Sequence, residues 1–311
     1  MTQKSPLVSV IIPVYNAAPF VSRAIESVLH QTFKDYEIIV VDDGSSDGSR
    51  DEILKFADRL TYVHQANRGQ AVARNRAIAR STGQYLAFLD ADDLWYPQKL
   101  QRCVDMLEAD SGAAMVCSTY TLMSLEGRIV IPHVKLPTSG GLYPRILLGN
   151  FLSCQGSLIR RDVFAEVGGF CAETTLYEDW TLFARVTRRY EVQWIDEPLF
   201  CYRSSKPGRY TPAQIALRLQ REHRVLDIAF REDPSLGRWF RARCRASVYM
   251  DLARACFFRR QFLQAFSLAC RSWLRMPLQT EVYTFLPRVI LGKLRKVLTD
   301  PRLSVSVRSS S

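Results

Sequence analysis

The sequence predicts an α/β protein: a doubly wound, mostly parallel sheet over residues 1–211, followed by a basic α-helical region over 212–311. Three observations predict it. Short β-branched runs alternate with helical stretches from residue 8 to residue 89, the pattern of parallel strands joined by right-handed crossovers. Lys206-Pro207-Gly208 and Thr211-Pro212 then interrupt the chain as turn signals. Charge shifts at the same place: residues 1–211 carry 23 Lys and Arg against 24 Asp and Glu, and residues 212–311 carry 19 against 7.

Val8-Ser9-Val10-Ile11-Ile12-Pro13-Val14-Tyr15 is an apolar run suited to a strand buried on both faces. Asn16 and Pro19 mark a turn, and Val21, Ile25, Val28 and Leu29 set helical spacing over Phe20 to His30. A second strand, Glu37 to Val41, runs into Asp42-Asp43-Gly44-Ser45-Ser46-Asp47-Gly48, dense in turn and helix-capping residues. A helix over Ser49 to Asp58, a strand over Leu60 to His64 and a helix over Gln70 to Arg80 follow. Ser81-Thr82-Gly83 stops that helix, and Gln84 to Leu89 is a fourth strand, ending in Asp90-Ala91-Asp92-Asp93. In open parallel sheets the ligand lies beyond the carboxyl ends of the strands. Both acidic clusters fall there, so they can share one crevice.

The middle of the chain is less regular. Strands are predicted at Ala113 to Met123, Leu152 to Ile159 and Val192 to Ile195. Helices are predicted at Asp162 to Val167, closed by Gly168-Gly169, and at Asp179 to Arg189. Beyond residue 211 come helices over Ala213–Glu232, Leu236–Phe258 and Gln261–Arg275, the last two resembling a single tetratricopeptide-type hairpin. A final helix, Leu286–Leu298, puts Val289, Ile290, Leu294 and Val297 toward one side, which suits an anionic membrane surface or packing on its own domain. Arg302 to Ser311 reads as a frayed tail.

Hydrophobic residues at 47% and charged residues at 23% suffice for a core and exclude disorder as the main state. The eight cysteines form no Cys-x-x-Cys pair and have mostly apolar neighbours, so they read as reduced core residues, not a disulfide framework or zinc site. The run Leu7 to Tyr15 is too short for a signal peptide, and no stretch of about 18 apolar residues is present to span a bilayer. A cytoplasmic location is expected. The basic last third suits either an anionic surface or a solvated helical face. It carries no recognised nucleic-acid motif, and no nucleic-acid partner is expected.

Three segments carry candidate chemistry. Asp90 and Asp92, two apart at a strand end, are hard oxygen donors suited to Mg2+ or Mn2+, ions that keep waters and bind substrate phosphates. By residue type alone, such an acidic triplet reads first as a turn, where acids are common. Asp42 and Asp43 either hold the turn before the helix after Gly48 or accept the N–H of a bound base. In Asn67-Arg68-Gly69-Gln70-Ala71-Val72-Ala73-Arg74-Asn75, Arg74 can reach a phosphate or the acidic clusters, and Gly69 permits close backbone approach.

Together, Pro13-Val14-Tyr15-Asn16, Val41 to Asp47, Asn67-x-Gly69 with Ala73-Arg74-Asn75, and Leu89 to Asp93 occur in an order and spacing that closely resembles the family 2 inverting glycosyltransferases of the GT-A fold, of non-processive bacterial type. The resemblance covers roughly residues 6–205 and continues through Arg160 to Phe170 and Glu178-Asp179-Trp180. It implies that Pro13 and Tyr15 line the base pocket, that Asp43 accepts a hydrogen bond from the base with Asp42 beside it, and that Asp90 contacts the ribose side of the donor. Asp92 is implied as ligand of the Mg2+ or Mn2+ ion that holds the diphosphate. Asp179, or else Glu178, is implied as the catalytic base; by residue type alone Asp179 is an N-cap of the helix that follows. An ordinary Asp pKa of about 3.9 leaves Asp179 ionised.

The chain departs from the family in places. Processive relatives carry Gln-x-x-Arg-Trp, whereas Ser235-Leu236-Gly237-Arg238-Trp239 lacks the Gln, so one sugar per encounter is expected. Ala18 stands where relatives often have an acid, and Tyr202-Arg203-Ser204-Ser205 lacks the His that some add to the metal. The resemblance implies a nucleotide-sugar donor, UDP-sugar favoured, and a saccharide or lipid-linked acceptor. Its setting is surface polysaccharide or glycolipid assembly, with peripheral contact at the inner face of the cell membrane. Loops 124–156 and 171–177 are expected to choose the sugar and acceptor. The alternative is a catalytically silent glycosyltransferase-like scaffold, disfavoured by the presence of Asp43, Asp90, Asp92 and Asp179. Dinucleotide binding lacks its Gly-x-Gly-x-x-Gly, and a nucleotidyltransferase would want a Gly-rich phosphate loop after the first strand.

Overall fold

The computed structural model describes residues 5–135, 141–204, 209–278 and 280–298. The turn at 206–208 and the tail at 302–311 lie outside them. The chain forms two compact units, Met1–Ile146 with Asn150–Lys206, and Leu147–Gly149 with Pro207–Ser311.

In the first unit β1 (Val8–Val14), α1 (Val21–Leu29), β2 (Tyr36–Asp42), α2 (Ser49–Leu54), β3 (Thr61–His64), α3 (Gln70–Ile78) and β4 (Tyr85–Phe88) alternate as the hydrophobic pattern requires. β1 is buried along its whole length. β3, β2, β1 and β4 pair in that order, all parallel, with Val14 opposite Asp42 and Ile11 opposite Phe88. Asp43 N donates to Val14 O at 2.8 Å and Leu89 N to Ile11 O at 3.0 Å, which carries the register one residue further. The residues that follow β2 and β4 therefore emerge at one edge, on either side of β1.

The rest of the unit comprises β5 (Leu94–Trp95), α4 (Lys99–Ala109), β6 (Ala113–Ser124), β7 (Ile129–Val134), α5 (Leu142–Leu148), which crosses into the second unit, β8 (Ser157–Arg160), α6 (Arg161–Val167), α7 (Glu178–Arg189) and β9 (Glu191–Ser204). Among the described residues these complete a sheet of order β3-β2-β1-β4-β8-β6-β9-β5, with β7 on β6. The parallel pairs are those among the first four strands and the long β6–β9 pair, and antiparallel pairs join the two sets. β8 runs antiparallel to β4 and β6, and the short β6–β7 connection forces a hairpin. The strand expected from Leu152 starts only at Ser157, after a 3-10 turn at Cys154–Gly156. β9 outruns the expected Val192–Ile195 because Asp196 and Glu197 bulge out: Ile195 faces Ser118, Pro198 faces Thr119, and pairing resumes.

The second unit contains α8 (Pro212–Glu232), α9 (Arg238–Phe258), α10 (Phe262–Arg275) and α11 (Thr280–Leu298). Thr211 and Gln214 form a capping box at the start of α8, with Pro212 in the first turn. α9 and α10 make the expected hairpin, and Ser272 Oγ donates to Ala246 O across it at 2.8 Å. α11 begins earlier than Leu286 and carries Pro287 inside, because Val282, Phe285 and Val289 are all buried at helical spacing. Ile290, expected on the same side as Val289, is exposed. Leu294 and Val297 have side chains outside the described set. All eight cysteines are free, five of them buried. Among the described residues no helix is long and apolar enough to cross a membrane.

Candidate active site

A cleft of about 550 Å³ opens where β1, β2 and β4 end, lined by Pro13, Tyr15, Asn16, Asp43, Gly69, Asp90, Asp92 and Leu176 among others. Its first wall is made by lacing two strand exits together. Ser46 N donates to Asn16 Oδ1 at 2.9 Å, Ala17 N to Ser49 Oγ at 2.8 Å and Ala18 N to Asp47 Oδ2 at 3.0 Å. These bonds satisfy the backbone of the 16–18 turn and leave Tyr15 54% exposed in the cleft.

Asp43 sits 3% exposed at the base of this wall. Its Oδ1 accepts from Gln65 Nε2 at 2.7 Å and Arg68 N at 2.9 Å, and its Oδ2 from Gly69 N at 2.7 Å. One carboxylate thus fastens the loop that leads into α3, and Gly69, at φ +89°, takes a backbone shape that favours glycine. Asp42 is placed differently. Its Oδ1 accepts from Ser45 N and its Oδ2 from Tyr62 Oη, both at 2.9 Å, and it is not among the residues lining the cleft. It holds the turn from within the core, so the donor contact implied for it is not reproduced.

The second acidic cluster faces the opposite wall. Asp90 Oδ1 accepts from Gln70 Nε2 at 2.8 Å and pairs with Arg74 Nη2 at 2.6 Å, and Oδ2 accepts from Gln155 Nε2. Arg74, 3% exposed, also pairs through Nη1 with Glu178 Oε1 at 2.7 Å and lies 5.1 Å from the centre of the Phe170 ring. Burial opposes the guanidinium's charge, but Asp90 and the other anionic groups around it prevail and raise its pKa. Asp92 is exposed to the cleft. Arg203, stacked over Phe20, grips the carbonyl of Asp92 through Nε at 2.6 Å, and its own N–H bonds Asp93 Oδ1 at 2.7 Å. Desolvation by the cleft walls and then the charge of Asp90 raise the Asp92 pKa. Asp93 is buried, with Oδ2 unpartnered, and burial followed by its two acidic neighbours pushes it well above the carboxylate range.

Asp179 stands at the second position of α7, half-buried. The cap position is Tyr177, which supplies no side-chain bond, so the capping role is not the one Asp179 takes. Its Oδ1 accepts from Trp180 N at 2.6 Å and its Oδ2 from Asn150 Nδ2 at 3.2 Å. Burial first, then the neighbouring Glu178, raises its pKa to about 7, against the ordinary value expected from its residue type. Asp179 is not among the residues lining the cleft, although Thr175 and Leu176 just before it are. What ties it to the cleft is the buried chain Asp90–Arg74–Glu178. Glu178 is 2% exposed and keeps Oε2 unpartnered.

The fold therefore gathers Pro13, Tyr15, Asp43, Asp90 and Asp92 at one cleft, links Arg74 and Glu178 behind it, and sets Asp42 apart. Gln155, Arg203 and Gln70 act on the acidic cluster and no sequence motif marks them; Gln155 lies in a stretch whose pattern predicts a strand but which folds as a 3-10 turn, and Arg203 lies at the far end of a bulged strand. Among the described residues no three His, Cys, Asp or Glu side chains gather to enclose a metal ion. The donor set nonetheless fits Mg2+ or Mn2+: Asp92 offers hard oxygens at the open face, and such ions fill their shell with water and substrate oxygens.

The cleft lies on a sheet of the GT-A glycosyltransferase type. A structure of Staphylococcus aureus TarS 1-349 superposes with a TM-score of 0.59 at 15% identity, covering 98% of this chain and 92% of that one. The mannosyltransferase PcManGT of Pyrobaculum calidifontis, in complex with GDP-Man and Mn2+, superposes with a TM-score of 0.57 at 19% identity, covering 96% and 89%. The chain belongs to glycosyl transferase family 2, whose model matches residues 9–168. It is 36% identical over 171 residues to TuaG of Bacillus subtilis, a putative teichuronic acid biosynthesis glycosyltransferase, covering 54% of this chain and 67% of TuaG. It is 37% identical over 132 residues to WfgD of Escherichia coli, a UDP-Glc:alpha-D-GlcNAc-diphosphoundecaprenol beta-1,3-glucosyltransferase, covering 41% and 52%. An uncharacterized glycosyltransferase of Nostoc is 51% identical over 105 residues, which span 33% of its length. The chain thus spans one third to two thirds of these curated relatives.

Proposed function

We propose that this chain transfers a single sugar, with inversion, from a nucleoside-diphosphate donor to a saccharide or lipid-linked acceptor in surface polysaccharide or glycolipid assembly. A UDP-sugar is the favoured donor. TarS has been crystallised with UDP and with UDP-GlcNAc, and WfgD by its name uses UDP-Glc and a diphosphoundecaprenol-linked acceptor. Residues 1–211 form the catalytic domain and 212–311 a basic helical region, and the setting is the inner face of the cell membrane. The observation that carries this reading is the Asp90–Arg74–Glu178 chain, which joins the cleft to the helix bearing Asp179.

Each residue has a role that its surroundings support. Tyr15 and Pro13 flank the base, and Asp43 holds the 65–69 loop in shape while facing the donor. Asp90 is oriented by three side chains and presents toward the ribose. Asp92 would hold Mg2+ or Mn2+ with the diphosphate. When bound there, such an ion supplies neutralisation of the charge on the departing diphosphate. Asp179 takes the proton from the acceptor hydroxyl, and a pKa of about 7 matches a general base working near neutral pH. Arg74 holds Asp90 and Glu178 in place beside it through its two ion pairs. The direct test is a donor screen that follows UDP or GDP release with Mn2+ and with chelator, and reads the anomeric configuration of the product by NMR. Release from one donor, dependent on the metal and giving inverted product, is expected; no release from any donor with a range of acceptors would support a silent scaffold instead.

A further inference from the structure

The helical unit has its own cavity, of about 420 Å³, where α8 ends and α9 begins. Arg224, Asp227, Phe230, Arg231, Arg241 and Arg245 line it. Residues 224, 227 and 231 share one face of α8, and 241 and 245 are one turn apart on α9. Two of the arginines are built into the wall. Their guanidinium carbons lie over the same Phe230 ring, Arg241 at 5.4 Å and Arg245 at 5.6 Å from its centre. Arg241 donates through Nε to Leu236 O at 2.8 Å and through Nη2 to Pro234 O at 2.9 Å, which locks the turn between the helices. Arg245 pairs with Asp227 at 2.8 Å.

Among the residues that line the cavity, four guanidinium groups stand with one carboxylate, so the lining itself is predominantly basic. Like charges this close repel, and a merely solvated basic face would spread them. An aromatic platform and a locked turn instead hold Arg241 and Arg245 in the wall that Arg224 and Arg231 share. Guanidinium forks match the oxygens of phosphate in shape as well as charge. We propose that this cavity binds a phosphate group, as a second anion site distinct from the reaction cleft. The assignment does not depend on which sugar the protein transfers, or on whether it transfers one.

Such a group can arrive on a lipid head or on a soluble phosphate, and two arms separate these sources. The full chain is titrated with pyrophosphate by calorimetry, and is floated with vesicles of phosphatidylglycerol in phosphatidylcholine, with pure phosphatidylcholine as the control. An Arg224→Gln/Arg231→Gln double variant leaves the Phe230 platform and the Arg241 turn contacts intact. It is expected to weaken binding by about tenfold or more in whichever arm binds, with its thermal midpoint unchanged. Binding of pyrophosphate alone assigns a soluble phosphate, and flotation with the anionic vesicles alone assigns a headgroup. No binding in either arm, or equal binding by variant and parent, overturns the proposal. Asp227→Asn gives a second reading should the double variant not fold: removing the carboxylate should tighten binding, and unchanged or weaker binding contradicts the site.

Discussion

The acids that end β2 and the acids that follow β4 have nearly the same composition, and the fold uses them in opposite ways. Asp42 and Asp43 are 1% and 3% exposed, and every carboxylate oxygen of the pair accepts at least one hydrogen bond from a backbone N–H, an amide or a hydroxyl. Asp90 is clamped by side chains alone, Asp92 faces the cleft, and Asp92 and Asp93 are both pushed upward in pKa. A carboxylate saturated by nearby donors is largely committed to holding its loop. One crowded by other carboxylates at an open face gains most from a cation. Of the first pair only Asp43 also reaches the cleft.

The sharpest way to break this contrast lies beside the second cluster. Asp179→Asn should lower kcat by about 10²–10⁴-fold, the usual worth of a general base, as read by diphosphate release. Because its pKa is raised on folding, Asp179 favours the folded state at low pH, and that contribution is lost as pH rises through about 7. The same variant should therefore melt higher than the parent, by roughly 2–4 °C at pH 8, with the gain shrinking at pH 5. Asp92→Ala should cost about a hundredfold in activity with no fall in melting temperature. In the parent, kcat/KM should fall about tenfold per pH unit below 7 as Asp179 takes up its proton. A flat profile from pH 5 to pH 8 would remove Asp179 from the role of base.

Asp42→Ala should show the reverse signature of Asp92→Ala. It orphans Ser45 N and Tyr62 Oη and should cost about 1–3 kcal/mol in urea unfolding, while the folded fraction keeps its activity. The smallest effect belongs to Arg102→Ala, which removes an ion pair with Glu197 at a half-exposed surface and should change stability by less than about 1 kcal/mol.

How much of this was open to a reader of the sequence follows from period and punctuation. β1, β2 and β4 are short apolar runs stopped by Asn or Asp, so both their identity and the shared edge of their ends could be read. α4 does not stand out in the sequence although Leu100, Cys103, Val104 and Leu107 form its buried stripe; a fully buried Lys99, 4.4 Å from the Trp95 ring, blurs its polar face. β9 was cut short because a two-residue bulge with a proline reads as an end. At the site, the carboxylates stood out by type and position. Their clamps did not, since Gln155 and Arg203 reach the cluster from 65 and 111 residues away, a distance only the folded chain closes.

Manganese binding in the presence of UDP, followed by electron paramagnetic resonance in the parent, Asp92→Ala and Asp42→Ala proteins, tests the contrast most directly. We expect Asp42→Ala to bind as the parent does and Asp92→Ala to bind about tenfold more weakly or worse. Equal binding by all three, or a loss confined to Asp42→Ala, would contradict the assignment of the ion to the cluster after β4.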